Sequence, residues 1–202
     1  MIRQIVDVIV PTLASLNFAD VVAGVVVTIS KQSKSKDDGI VVEKFPAYYR
    51  EPEDVCANYS TYIDLIPNSK KKSIIYFEEI SNFAYEDEDA YYVKMSSTVR
   101  LICWANLKLI NQAYSDAYLL KQAIIKTIPE TLPNIANRFS FIRLHFDAEE
   151  VRDVGLFSNY TYIEEQKQYL LYPYDYFGLN YTFDYWVAKR CEEDVIIDPA
   201  TC

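Results

Sequence analysis

Hydrophobic and polar residues alternate most regularly near the C-terminus, in residues 174–187. The apolar side of this stretch carries Phe177, Leu179, Tyr181, Phe183, Tyr185 and Val187. The opposite side carries Gly178, Asn180, Thr182, Asp184 and Trp186. Such alternation in an aromatic-rich segment predicts a long β-strand with one buried face. We expect this strand to cross a sheet that the earlier parts of the chain build.

Five further segments have the alternation or the β-branched composition of strands: residues 21–30, 40–45, 73–77, 91–106 and 139–146. Pro46 is expected to end the second segment, and residues 107–110 to extend the fourth. In the fourth, the polar face of Lys94, Ser96, Thr98 and Arg100 becomes apolar at Ile102 and Trp104. In the last segment, the alternation places Phe139, Phe141, Arg143 and His145 on one face.

Helical spacing appears in two places. Residues 2–17 repeat apolar positions as an amphipathic helix does, and Pro11 should kink this helix or begin a second one. Residues 116–128 predict a helix with Ser115 as its N-cap, and Pro129 stops it. Its Leu and Ile stripe should pack on the sheet, over the apolar side of residues 174–187.

The order of elements predicts an α+β fold, with two helices packed on one side of a mainly antiparallel sheet. We expect a single domain over residues 1–202. Its peripheral parts would be the loops 31–39, 48–64 and 149–168, together with a polar C-terminal tail.

The amino-acid composition is that of an ordinary globular protein, except that tyrosine is in excess. The 202 residues are 50% hydrophobic and 24% charged, which argues against global disorder. The 18 tyrosines fit both a β-rich core and half-wet subunit contacts, and these interpretations are compatible. The net charge of −9 disfavours general nucleic-acid binding, because such proteins replace phosphate counterions with cations.

Cysteine and histidine offer little for a metal or a nucleophile. The four cysteines, Cys56, Cys103, Cys191 and Cys202, form no CxxC pair, which disfavours a zinc site. Cys103 lies in an apolar strand and is expected to be a small buried hydrophobe, and reduced thiols indicate a cytoplasmic folding environment. The sole histidine, His145, is expected to have a structural or interface role rather than a catalytic one.

The sequence also lacks the common phosphate-binding, calcium-binding and acid–base motifs. The four glycines do not spell a phosphate-binding loop, and residues 86–89 lack the spacing of a calcium loop. Glu78 and Glu79 are adjacent in a strand and should point to opposite faces. No apolar run approaches the roughly 20 residues of a membrane span. We therefore expect no enzyme activity, no cofactor, no metal and no membrane contact.

Charged runs are the candidate subunit contacts. Lys31, Lys34 and Lys36 lie in the predicted hairpin tip, Lys70, Lys71 and Lys72 precede strand 73–77, and Glu86, Asp87, Glu88 and Asp89 form a turn after it. Opposite charge at two edges of a subunit suits a head-to-tail ring contact. Solvated loops are the simpler interpretation, and the sequence leaves both open.

The order of these segments resembles a known group. The helix MIRQIVDVIVPTLASL, the hairpin, the segment IPNSKKKSIIYFEE, a long strand, the helix SDAYLLKQAIIKTIP and the closing strand YFGLNYTFDYWV look like the neck and tail-terminator proteins of tailed bacteriophages. The resemblance covers most of the chain as an order of elements and includes no short motif. It does not account for residues 48–64 and 149–168.

The resemblance implies a structural virion protein at the head–tail junction, assembled in the cytoplasm of the bacterial host. Its partners would be a homo-oligomeric ring, a hexamer or alternatively a dodecamer, and the adjacent connector and tail-tube proteins. DNA would pass through the lumen without specific binding. One alternative is a tail-tube or other connector-ring protein of the same virion. A second is a small enzyme or ligand-binding module that uses the aromatic surface of Tyr174, Tyr176 and Trp186.

Overall fold

The computed structural model describes residues 1–34, 40–49, 62–81, 84–89, 91–133, 135, 139–150, 155–161 and 167–189. The helices in this part of the chain are α1 (Ile2–Ala14), α2 (Leu107–Ile110) and α3 (Tyr118–Thr127). The strands are β1 (Val21–Val25), β2 (Val27–Lys34), β3 (Ile40–Tyr49), β4 (Tyr62–Asp64), β5 (Ser73–Glu79), β6 (Ala84–Glu88), β7 (Tyr92–Asn106), β8 (Thr131–Leu132), β9 (Phe139–Glu150) and β10 (Tyr174–Ala188).

Seven strands form the main sheet, in the order β1-β5-β7-β10-β9-β8, and β6 pairs with the part of β7 that β5 leaves uncovered. Only β1 and β5 run parallel among the described pairs of this sheet. β10 is central and pairs with β7 along all 15 of its residues. The predicted α+β class and the long strand that crosses the sheet are therefore confirmed.

One face of the main sheet packs against the helices. The apolar side of β10 is fully buried there, as its alternation predicts, and it shares one hydrophobic cluster with α1 and α3. Leu120 and Ile124 of α3 lie in this cluster with Phe183 of β10. Cys103 belongs to it as well, and burial raises the pKa of its thiol, so Cys103 is the buried hydrophobe that we predicted. The other three cysteines lie outside the described residues.

The ends of α1 and α3 differ slightly from the predicted ends. α1 runs through Pro11 to Ala14, and no second helix starts at the proline. Ser115 is not the N-cap of α3. The carboxylate of Asp116 instead accepts the N–H of Tyr118 at 2.9 Å, and that of Asp175 accepts the N–H of Ala117 at 2.7 Å. The start of α3 is thus stabilised by two aspartates, one of them distant in sequence.

The predicted single strand 21–30 is wrong, because the chain changes sheets at Val26. Residues before it belong to the main sheet, whereas β2 pairs with β3, and β3 with β4, in a second, three-stranded sheet. Pro46 does not end β3, because the strand gains β4 as a partner beyond the proline and continues to Tyr49. The predicted hairpin is confirmed, although β2 extends to Lys34 and shortens its loop.

Three other segments contradict the prediction. Residues 62–64 form a strand rather than irregular structure, and residues 84–88 form the edge strand β6 rather than a turn. Residues 107–110 turn into α2 instead of extending β7. The buried Leu107 joins the cluster under the helices, while its N–H binds the carbonyl of Pro173 at 3.1 Å.

β9 is longer than predicted and is bulged. Ile142 pairs with Tyr185, and Phe139 pairs with Val187, so three steps along β9 match two along β10. The extra residue turns Phe139 to the buried face, where its ring meets Tyr185, while Phe141 is exposed. The predicted common face for Phe139 and Phe141 is therefore wrong.

The second face of the main sheet is divided into an apolar and a polar half. Ile102 and Trp104 lie in a smaller hydrophobic cluster with Leu65, Leu156 and Tyr160. Lys94, Ser96, Thr98 and Arg100, at the other half of β7, are only partly buried. The predicted change of polarity along this strand is thus confirmed.

Candidate functional site

The two oppositely charged runs of the sequence lie at opposite ends of β7. At one end, the N–H of Asn106 binds the carbonyl of Lys72 at 2.7 Å. At the other end, the N–H of Asp89 binds the carbonyl of Tyr92 at 2.9 Å. A strand rises by about 3.3 Å per residue, so the length of β7 separates the two runs by roughly 45 Å. The basic run and the acidic run therefore lie at opposite ends of the sheet.

Lys70, Lys71 and Lys72 form a surface that we name the basic turn. Its backbone is held by Asn68, whose side-chain oxygen accepts the N–H of Lys70 at 3.0 Å, and by Asp20, which accepts the N–H of Lys72 at 2.5 Å. Within the described residues, no carboxylate forms an ion pair with these three ammonium groups.

Glu86, Asp87, Glu88 and Asp89 form a second surface, the acidic edge. All residues of β6 are exposed, and Asp89 follows directly. Glu86 pairs with Lys94, and Glu88 lies 3.4 Å from Lys189. Four carboxylates against two lysines leave a net charge of minus two on the acidic edge.

Hydrogen bonds favour the ionised form of two carboxyls of the acidic edge, those of Glu88 and Asp89. Backbone N–H groups of Tyr91 and Tyr92 bind Asp89 at 2.7 and 2.6 Å and lower the pKa of its carboxyl. The pKa of Glu88 is lowered by a hydrogen bond from Tyr85 and then by Lys189. These two carboxyls therefore stay charged at any pH near neutrality.

The third charged segment forms a surface that we name the basic edge, made of Lys31 and Lys34 on β2. Lys31 is exposed and lies opposite Glu43, and Lys34 pairs in register with Ile40. Lys36, which we predicted to lie in the same hairpin tip, is outside the described residues. β2 has only β3 as a partner among the described strands, so the lysines stand on an open sheet edge.

A partly buried polar row on the second face of the main sheet is not apparent from the sequence. Glu78, Arg100 and Asn180 lie side by side on β5, β7 and β10. The Arg100 guanidinium is 3.7 Å from the Glu78 carboxylate, and its Nε donates to Asn180 at 3.3 Å. The hydroxyl of Tyr160 also donates to Glu78. Only the strand register brings these residues together, so no local pattern predicts them.

Burial dominates the protonation of Glu78. Desolvation raises the pKa of its carboxyl, against the hydrogen bond from Tyr160 and the charge of Arg100. Glu79 is exposed, so the two neighbouring glutamates do point to opposite faces. A cavity of about 410 Å³ adjoins Glu78, Arg100 and Tyr160 and is also lined by Arg3. This arrangement suits a structural ion pair at the boundary between the apolar and polar halves of the sheet.

A larger cavity of about 530 Å³ lies between the end of α3 and strands β8 and β9. Its lining includes Tyr181, which is 3% exposed and whose hydroxyl has no hydrogen-bond partner among the described residues. Burial raises the pKa of this phenol. His145 lies at the same cavity, 74% exposed and 3.9 Å from Asp147. Thr182 is its cross-strand partner on β10, and the Thr182 hydroxyl donates to the same Asp147 at 2.8 Å.

The aromatic surface of the ligand-binding alternative is not assembled. Tyr174 stacks on Trp104, and Tyr176 packs on Phe157, at one end of β10. Trp186 lies near the other end of β10, where it meets Phe141 and Lys94. The three aromatic residues that we grouped therefore belong to two separate surfaces.

Among the described residues, no three metal-ligating side chains come close enough to share an ion. None of the described helices has the length and hydropathy needed to cross a bilayer.

Comparisons with known proteins add no identification: no protein-family model matches the chain, and no curated protein is significantly similar to it.

Proposed function

We propose that this chain is a structural virion protein that forms a ring at the head–tail junction of a tailed bacteriophage, as a tail terminator or neck protein. It acts by assembly, and no bond is made or broken. The observation that carries the proposal is the separation of the basic turn from the acidic edge along β7. The order of elements that resembles the neck and tail-terminator proteins supports the assignment to this junction.

Opposite charges at two ends of one subunit favour contacts between unlike surfaces. A contact of this kind repeats from copy to copy and closes into a ring when the rotation allows it. Complementary charge steers the encounter and suppresses wrong orientations, because like charges would then meet. A hexamer, or a dodecamer, is the expected product.

The basic turn is suited to an axial neighbour. Its ammonium groups form no ion pair within the described chain, so they are available to an acidic surface of the connector or of the tail tube. The net charge of −9 gives DNA no general binding surface, which suits a lumen that DNA must cross without sticking. The protein would assemble in the host cytoplasm and end in the virion.

The mass of the purified protein tests the proposal. Mass photometry and negative-stain images should show closed rings, either alone or after addition of connector or tail-tube subunits. A monomer under all these conditions would reject the function. An open helical tube would instead assign the chain to the tail-tube alternative, because a heterologous contact that does not close gives a filament.

A further inference from the structure

Two strands of the fold have an open edge and opposite charge. β6 pairs only with β7, and β2 pairs only with β3, among the described strands. An open edge presents a row of unpaired backbone N–H and C=O groups, which can accept another strand. β6 belongs to the main sheet and β2 to the second sheet, so the two open edges lie on different parts of the subunit.

The charges on these edges match in size. The acidic edge keeps a net charge of minus two after its ion pairs with Lys94 and Lys189. β2 itself carries two lysines, Lys31 and Lys34, and no acidic residue. The net charge of this strand is therefore plus two. Like charges would meet if either edge paired with a copy of itself, so unlike pairing is favoured.

Large apolar side chains accompany both edges. Ile40 on β3 is 72% exposed and lies directly opposite Lys34. Tyr85 on β6 is 58% exposed, and Tyr91, just beyond the acidic edge, is 72% exposed. Tyrosine is enriched at the cores of protein interfaces, and exposed apolar residues beside an open edge mark a surface suited to burial.

We propose that β2 of one copy pairs along the outer edge of β6 of the next copy, so that the sheets of neighbouring subunits join head to tail. The occupant of each edge is a second copy of this chain. Backbone hydrogen bonds hold the two strands, as in other cases of strand addition. Lys31 and Lys34 meet the acidic edge. The inference rests on the proposed ring and names its lateral contact.

Charge reversal on each edge gives a sharp test. We would compare the wild type, Lys31→Glu/Lys34→Glu and Asp87→Lys/Glu88→Lys by mass photometry at constant ionic strength. Each variant places like charges across the contact, and its half-assembly concentration should rise about tenfold or more. A 1:1 mixture of the two variants should assemble at the wild-type concentration, because every contact in an alternating ring is then complementary. Circular dichroism checks that each variant is folded.

Lys108→Glu/Lys126→Glu is the matched control. It reverses the same amount of charge on two exposed lysines of α2 and α3, outside the proposed lateral contact and outside the basic turn, and should leave the half-assembly concentration of the ring unchanged. Hydrogen exchange provides the backbone test. The outward amides of β2 and β6 should become protected when the wild type assembles.

The outcomes separate this inference from the proposed function. If the wild type forms rings but the edge variants assemble equally well, or the amides of β2 and β6 stay unprotected in the ring, the strand pairing is rejected and the ring function stands. If the wild type stays monomeric even with connector and tail-tube subunits, the ring function itself is rejected.

Discussion

Asp175 fastens the first turn of α3 to the central strand of the sheet. Its Oδ2 accepts the backbone N–H of Ala117 at 2.7 Å, across 58 residues of sequence. Its Oδ1 accepts the N–H of Tyr176 at 2.9 Å. Both Asp175 and Ala117 are buried, so water does not replace these bonds.

Asp175→Ala should therefore destabilise the protein by about 1–3 kcal/mol, because it leaves a buried N–H without an acceptor. Asp175→Asn keeps one acceptor oxygen, so it should destabilise the protein less than Asp175→Ala does. Urea unfolding followed by fluorescence measures both values. An alanine variant as stable as the wild type would contradict the proposed role of Asp175.

Glu78 should make stability depend on pH. Its folded-state pKa is raised by burial, so the folded protein holds this proton to a higher pH than the unfolded chain does. The free energy of unfolding should therefore fall as pH rises from the ordinary glutamate pKa through the raised one. Glu78→Gln removes this titration and retains an acceptor for Tyr160.

Urea unfolding at several pH values would isolate the Glu78 contribution as the difference between wild type and Glu78→Gln. The free energy of unfolding of the wild type, relative to that of Glu78→Gln, should fall as the pH rises. This fall should level off above the raised pKa of Glu78. A difference that does not change with pH, or that changes in the opposite sense, would contradict the burial of the charged form.

Phe183 and Asp184 test the two faces of β10. Phe183 is buried under the helices, whereas Asp184 is half-exposed on the other face and lies opposite Arg143. Phe183→Asp buries an unpaired charge and should cost more than about 4 kcal/mol, enough to abolish folding.

Asp184→Lys should retain the fold and disturb assembly, because it adds positive charge near Lys94 and Arg143 on an open face. Circular dichroism reports the fold, and mass photometry reports the assembly. If Asp184→Lys unfolded the chain and Phe183→Asp did not, the assignment of the faces would be reversed.

The phenols of Tyr181 and Tyr185 form a matched pair on the buried face of the same strand. The Tyr181 hydroxyl has no partner among the described residues, whereas that of Tyr185 lies 3.1 Å from the Ser97 hydroxyl. Tyr181→Phe should leave stability unchanged or raise it, since it removes a buried polar group that makes no bond. Tyr185→Phe should lower it by about 0.5–1.5 kcal/mol. Thermal unfolding of both variants provides the comparison, and a larger loss for Tyr181→Phe would refute it.

The elements that the sequence predicts well are those whose pattern is local. Alternation identifies the buried face of β10, and helical spacing identifies the buried stripe of α1, because burial of either depends on one face of one element. Phe139 shows the limit of this argument. A bulge against β10 moves it to the other face, and alternation within β9 alone contains no sign of that bulge.

Pairing between distant segments accounts for the rest. The change of sheets at Val26 follows from which partners β1 and β2 find, although residues 21–30 look uniform. The charged runs are visible in the sequence, and their position at opposite ends of β7 depends on the pairing of β5 and β6 with it. Glu78, Arg100 and Asn180 become neighbours only through the register of three strands.

Val26 is the single residue between β1 and β2, and its N–H binds the carbonyl of Phe77 at 2.9 Å. The two sheets are therefore joined here by one residue and not by a loop. A pull on the hairpin is therefore transmitted through Val26 to the backbone of β5 and to β1, against which α1 packs. The backbone of the small sheet is thus tied to the core strands β1 and β5 within one residue.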